Sequence, residues 1–328
     1  MRRSALVLLV AIAAAGCGDD GGEKGGDKPV AAQPVRCTPA PGAGRTVRVE
    51  PRWKVGDRRD LTVEKSREEP GRPPRRGISA AQLEVLEAGG GGRSALRFSV
   101  DDAAIAVGGN VPQELLRRLR EEAKDVNLEY STDTDGAFAS VRNVPEVREQ
   151  MSSVMDFLEE VAEEEDDDPK AREALKATRR LLESETFIQT TVGEEARLLH
   201  AAYGLELEQG ESISGEQPLA NPFGGEPIAA TLRVEVVDRR DRNGCVVIES
   251  ITEADEKALL RALKGLFDQF GGTAPDPSKI AGASLRHETR YSYDPASGWV
   301  VRGEAVKRIE FGGQRRIDRT VVTSAAAR

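Results

Sequence analysis

The chain has 328 residues, 38% of them hydrophobic, with 56 acidic against 47 basic side chains and a formal net charge of −9. It is long enough to bury a sizeable core, and its charge argues against a general phosphate-backbone binder, because nucleic acid would be repelled. Two histidines and three cysteines leave little material for metal or nucleophile chemistry.

Arg2 and Arg3 precede an apolar run, Ala5 to Ala15, which is short of the ~20 residues that span a bilayer and has the form of a cleaved signal peptide. Gly18 to Gly44 is mostly Gly, Asp, Lys, Pro and Ala without periodicity, the composition of a solvated linker. Its root-mean-square reach as a Gly-rich coil is roughly 30 Å. Strand signals dominate both ends of the remainder and helical periodicity fills its middle, which predicts a single α+β domain over 45–328.

Arg58 to Arg67 alternates around Leu61 and Val63, and Gln82 to Ala88 with Ser94 to Val100 flank Gly89 to Gly92 as a hairpin. Pro112 to Lys124 places Leu115, Leu116 and Leu119 on one helical face. A second hairpin turns at Asp133 to Gly136. Val147, Met151, Val154, Met155, Leu158 and Val161 form the stripe of an amphipathic helix. Past the acidic block Glu163 to Asp168, Ala171 to Leu182 marks another helix, and Val192, Ala196, Leu199 and Tyr203 a third.

Strands then return. Leu205 to Leu207 is short, Ile228 to Val237 is long, and Cys245 to Ile251 follows a turn at 241–244. Thr252 and Asp255 have the spacing of a capping box before a helix with Ala258, Leu259, Ala262, Leu263, Leu266 and Phe267. Leu285 to Tyr293, Trp299 to Phe311 and Arg315 to Thr323 read as an antiparallel meander. About ten hairpin-linked strands imply one large antiparallel sheet, which must curl at that size, half-barrel-like, with several helices packed on its dry face.

Ala14, Ala15, Gly16 and Cys17 resemble the lipobox of bacterial lipoproteins. The resemblance implies cleavage after Gly16, acylation of Cys17, and a domain lipid-anchored at the extracytoplasmic face of the cell membrane. One acyl chain holds a bilayer marginally, whereas the several implied here hold it stably. With Cys17 acylated, Cys37 and Cys245 remain as an even pair in an oxidising compartment, either a disulfide or two free thiols. The succession of hairpin, helices and the run Tyr293 to Trp299 resembles a broad family of secreted bacterial lipoproteins without an established activity, and the architecture is similar to the half-barrel of envelope lipid carriers.

No catalytic, cofactor or metal constellation emerges. His200 and His287 each lack a second ligand at metal spacing, and neither Gly-x-Ser-x-Gly nor Ser-x-x-Lys occurs. Gly89 to Gly92 leads into a strand rather than a helix N-terminus, so it is a hairpin loop rather than a phosphate cradle. The acidic block lacks the alternation and glycine of an EF-hand. The expected function is a non-catalytic binding module for a lipid or other amphiphile, with the membrane as partner through the N-terminal lipid. A structural or protein-interaction component of the envelope without a small-molecule ligand is the alternative.

Overall fold

The structure is a computed structural model of the whole chain and describes residues 37, 46–89, 93–100, 117–118, 127–165, 169–219, 227–238, 241, 244–269 and 282–325. Among these, strands β1 (Thr46–Arg48), β2 (Arg58–Glu68), β3 (Arg75–Glu87), β4 (Ala95–Val100), β5 (Asn127–Thr132) and β6 (Phe138–Val141) come first. Helices α1 (Val144–Glu165), α2 (Pro169–Leu182), α3 (Glu185–Thr191) and α4 (Glu194–His200) follow. The chain returns to β7 (Glu206–Glu208), β8 (Ser212–Glu216), β9 (Ala230–Asp238) and β10 (Val246–Ala254), then α5 (Glu256–Gln269), β11 (Ser284–Asp294), β12 (Trp299–Phe311) and β13 (Gln314–Ser324).

Eleven strands form one antiparallel sheet in the order β6-β5-β4-β3-β2-β13-β12-β11-β10-β9-β8, and β1 pairs β7 in a separate ribbon. Two meanders meet at the centre, where β2 pairs β13 and joins the two halves of the chain. This is the α+β antiparallel arrangement the strand and helix periodicities predict, with more strands than the ten counted. The short strand read at Leu205 to Leu207 is β7, shifted by one residue, whereas β1 and β8 carry too few residues for alternation to stand out.

Because successive side chains point to opposite faces, register sorts the sheet into a dry and a wet side. Val63, Val322, Gly303, Tyr291, Ile248 and Val236 lie straight across six strands of the dry side. Gly303 lets α4 approach: a Cβ there would stand 3.0 Å from Leu198 Cγ. Gly303→Val should therefore lower stability by about 2 kcal/mol through overpacking, read from urea denaturation midpoints. The wet side is a lattice of opposite charges. Arg302 and Arg319 both meet Glu304, Arg286 and Arg308 both meet Glu288, and Arg290 meets Glu249. Each exposed pair adds little stability.

The helices divide. Leu198 and Leu199 of α4 join the main core above β12 and β13, and Ala258 and Leu259 of α5 pack with Ile228 and Ala283 beside β11. Helix α1 starts in the main core at Val147 but builds a second cluster with α2 and α3 from Met155, Phe157, Leu158, Leu175, Leu182 and Phe187. So α1 and α2 bury much of their apolar stripes against each other, where the stripes alone suggest cover from the sheet. The segment expected as one third helix is two. Ser184 caps α3 by accepting from the Phe187 amide at 3.2 Å, and Gly193 at φ 78° breaks the path before α4. Asp255, rather than Thr252, caps α5: its Oδ1 accepts from the Ala258 amide at 2.8 Å, while Thr252 sits inside β10. The helix read over Pro112 to Lys124 lies outside the described residues except 117–118, which are helical.

Candidate functional site

Where α4 and the ends of β5, β11 and β12 converge, the few aromatic residues of the chain gather around His200. Trp53 stands edge-on to His200 at 5.2 Å and to Tyr203 at 5.0 Å between ring centroids, and Trp299 lies 5.3 Å from Trp53. His200 is 1% exposed, and both ring nitrogens are engaged. Its Nδ1 is 2.9 Å from the Gly136 carbonyl, which can only accept, so Nδ1 carries the proton. Nε2 is then the acceptor for the Tyr130 hydroxyl at 2.8 Å. Burial, outweighing the Gly136 bond and the Asp133 charge, pushes the imidazole down to about 4.

The Tyr203 hydroxyl donates to the Gly298 carbonyl at 2.8 Å and accepts from the Val300 amide at 3.2 Å, and Trp53 Nε1 donates to the same carbonyl at 3.1 Å. Gly298 has φ 71°, and a Cβ there would meet the Arg52 amide nitrogen at 2.5 Å, so the turn that presents this carbonyl needs glycine. Burial holds the Tyr130 and Tyr203 hydroxyls above their ordinary range. A neutral histidine saturated on both sides and two protonated phenols hold a core together and leave no free base. The cavity against this cluster, lined by residues including Leu61, Leu83, Tyr203 and Trp299, measures about 10 Å³, room for one water. An acyl chain does not fit there.

Cys37 and Cys245 are bonded, with Cα atoms 5.0 Å apart and side chains in the main core. Residue 37, inside the stretch read as linker, is thereby fastened to the start of β10. Cys17 lies outside the described residues, as do residues 90–92 of the glycine turn and residues 166–168 of the acidic block. Glu163 to Glu165 continue α1. Among the described residues no group of three His, Cys, Asp or Glu could hold a metal ion, and no helix is long and apolar enough to cross a membrane.

His287 belongs to a different environment. Beyond the reach of α4 on the dry side, register sets Arg67 beside Asp318, Asp318 beside Lys307, Lys307 beside His287, and His287 beside Thr252. Arg67 Nε donates to Asp318 at 2.6 Å and Arg316 Nε donates to it at 2.9 Å. Burial would raise the Asp318 carboxyl, but the bonds and charges of the two guanidiniums hold it below its ordinary range. Burial, reinforced by the Lys307 charge, pushes His287 down to about 4. One row nearer the core, Lys65 pairs with Glu195 of α4. Burial there works to raise the Glu195 carboxyl, and the attraction and hydrogen bond of Lys65 more than offset it.

The sequence reading missed this row, though a signal for it exists. Lys307 shares parity with Ala305 and Ile309, and Asp318 with Thr320 and Val322, so charge sits where the apolar residues of the same strands point. Only the register between strands shows that the four positions form one line.

No protein-family model and no curated protein matches the chain. Among solved structures the chain is similar to one titled "Lipid-protein interactions in lipovitellin", with 7% identity and a TM-score of 0.37 over 84% of this chain. The matched part spans 26% of that chain. A likeness at that score carries no argument about fold or ligand.

Proposed function

We propose that the protein is a non-catalytic, lipid-tethered binding module of the extracytoplasmic face, taking an amphiphile on the open strip of its dry side. The observation that supports this reading is the change of cover along that side. Helix α4 closes over Gly303, α5 packs by Leu285, and the row from Arg67 to His287 lies between them partly exposed, with Thr252 buried at its end. The filled space under α4 turns the search from an enclosed pocket to this strip. A half-barrel-like curl, which the twist of eleven strands favours, would make the strip a trough. The tether rests on Ala14 to Cys17 and the apolar run before them.

A second reading, an envelope component with no small-molecule ligand, draws on the tightly bonded aromatic cluster and the ion-paired wet side. Native mass spectrometry of protein extracted from host membranes separates the two. The expected mass is that of a chain beginning at acylated Cys17 plus a non-covalent amphiphile that leaves on denaturation. A bare acylated mass selects the second reading, and an unprocessed start without an acyl adduct removes the tether. Cys17→Ser is expected to move the protein from the membrane to the soluble fraction, followed by immunoblotting.

A further inference from the structure

We propose that the row Arg67, Asp318, Lys307 and His287, with Arg316, binds the phosphate head of a phosphomonoester amphiphile whose apolar part lies over Ile309 and Leu285. The proposal rests on the binding-module reading and names its ligand class. Neighbouring strands are about 4.8 Å apart, so Arg67 to His287 covers about 14 Å, the scale of a headgroup and the atoms next to it.

Charge is the first ground. Asp318 is shared between two guanidiniums, and among the described residues Lys307 has neither an ion pair nor a hydrogen bond. Lys307 therefore stands in the row as a positive charge without an ion pair, beside two guanidiniums that share one carboxylate, in a protein whose net charge is −9. On the wet side, by contrast, each of Arg302, Arg319, Arg286 and Arg308 has a glutamate partner. A phosphomonoester carries about −1.5 to −2 near neutral pH and would supply the counter-charge that Lys307 lacks.

Burial is the second ground. The Arg67 side chain is 15% exposed and the Asp318 side chain 23% exposed, so Coulomb attraction at the row is screened less than on open surface. The neutral imidazole of His287 and the hydroxyl of Thr252 continue the row with uncharged polar groups. The third ground is the neighbouring row, where Arg316, Ile309 and Leu285 are in register. A guanidinium at one end and two half-buried aliphatic side chains beside it suit a molecule with one charged end and one apolar end.

The test uses the whole mature chain with histidine side chains isotopically labelled. Its two imidazole signals report the row through His287 and the packed core through His200, which serves as an internal control. Dihexanoyl phosphatidic acid, dihexanoyl phosphatidylcholine and inorganic phosphate are titrated separately at physiological salt. Phosphatidic acid is expected to bind and to move the His287 signal but not that of His200. Lys307→Gln is expected to weaken binding at least tenfold, and Lys307→Arg to retain it within threefold, with the unmoved His200 signal showing that both variants are folded. Equal binding of phosphatidylcholine that is insensitive to Lys307→Gln overturns the site but leaves a binding module. Inorganic phosphate binding as tightly as phosphatidic acid overturns the amphiphile. If no short-chain lipid binds and native mass spectrometry finds no adduct, the proposal and the reading beneath it fail together.

Discussion

Replacing His200 with leucine should cost about 4 kcal/mol of unfolding free energy at pH 7, measured by urea denaturation. The imidazole links β5 through the Tyr130 hydroxyl to the turn at Gly136, and leucine would leave both that hydroxyl and the Gly136 carbonyl buried without partners. Each orphaned group costs about 1–3 kcal/mol, and the leucine methyls recover part of the lost packing. The pH dependence gives an independent check. His200 titrates at about 4 in the folded protein, against the ordinary 6.5. The unfolded chain therefore binds more protons between those values, and stability is full above pH 6.5 and drains as pH falls toward 4. The loss over that window is about 3 kcal/mol. His287, also lowered to about 4, acts in the same direction, and Asp318 and Glu304, held below the ordinary carboxylate range, extend the loss at lower pH. The leucine variant should show a flatter stability profile between pH 6.5 and 4. A variant within 1 kcal/mol of the wild type at pH 7, or one with an unchanged acid slope, would refute the structural role assigned to this histidine.

Breaking the Cys37–Cys245 bond should be comparably damaging. The bond joins positions 208 residues apart. By the chain-entropy argument, closing a loop of that length restricts the unfolded ensemble by up to about 5 kcal/mol, and natural bonds typically deliver 2–4. Cys37→Ser and Cys245→Ser are each expected to lower stability by about 3 kcal/mol, a drop of roughly 8 °C in the melting temperature. The double variant should match either single one, because all three remove the same constraint. Scanning calorimetry with and without a reductant checks this directly. A melting temperature indifferent to reduction would show that the covalent link contributes nothing.

Much of the fold follows from residue order alone because its long elements are strongly periodic. The stripe through Val147, Met151 and Leu158 marks α1, and the alternation in Trp299 to Phe311 marks β12. The boundary at Gly193 was harder, since Val192, Ala196, Leu199 and Tyr203 keep helical spacing across a glycine that bends the backbone. The cap at Asp255 is masked in the sequence because Thr252 satisfies the same local pattern, and only the pairing of β10 with β11 shows that Thr252 is committed to the sheet. The aromatic cluster is drawn from Trp53, Tyr130, His200, Tyr203, Tyr293 and Trp299, far apart along the chain, so no window of sequence contains it. The basic row is invisible for a related reason. Each strand contributes one or two charged residues, unremarkable alone, and the line exists only once β2, β13, β12 and β11 stand side by side.

The covalent link at Cys245 also fixes where on the domain the segment ending at residue 37 is attached. Residue 37 is secured at the edge where β10 starts and where the turn from β11 to β12 lies, whereas Thr252, in line with the basic row, is about 23 Å farther along β10 at 3.3 Å per residue. For a chain moored through Cys17, nineteen residues lie between mooring and fastening, a span of at most about 70 Å. On the tethered reading the leash leaves the domain at the end bearing Trp53 and Trp299, and the basic row lies toward the opposite end of the strands, clear of the attachment.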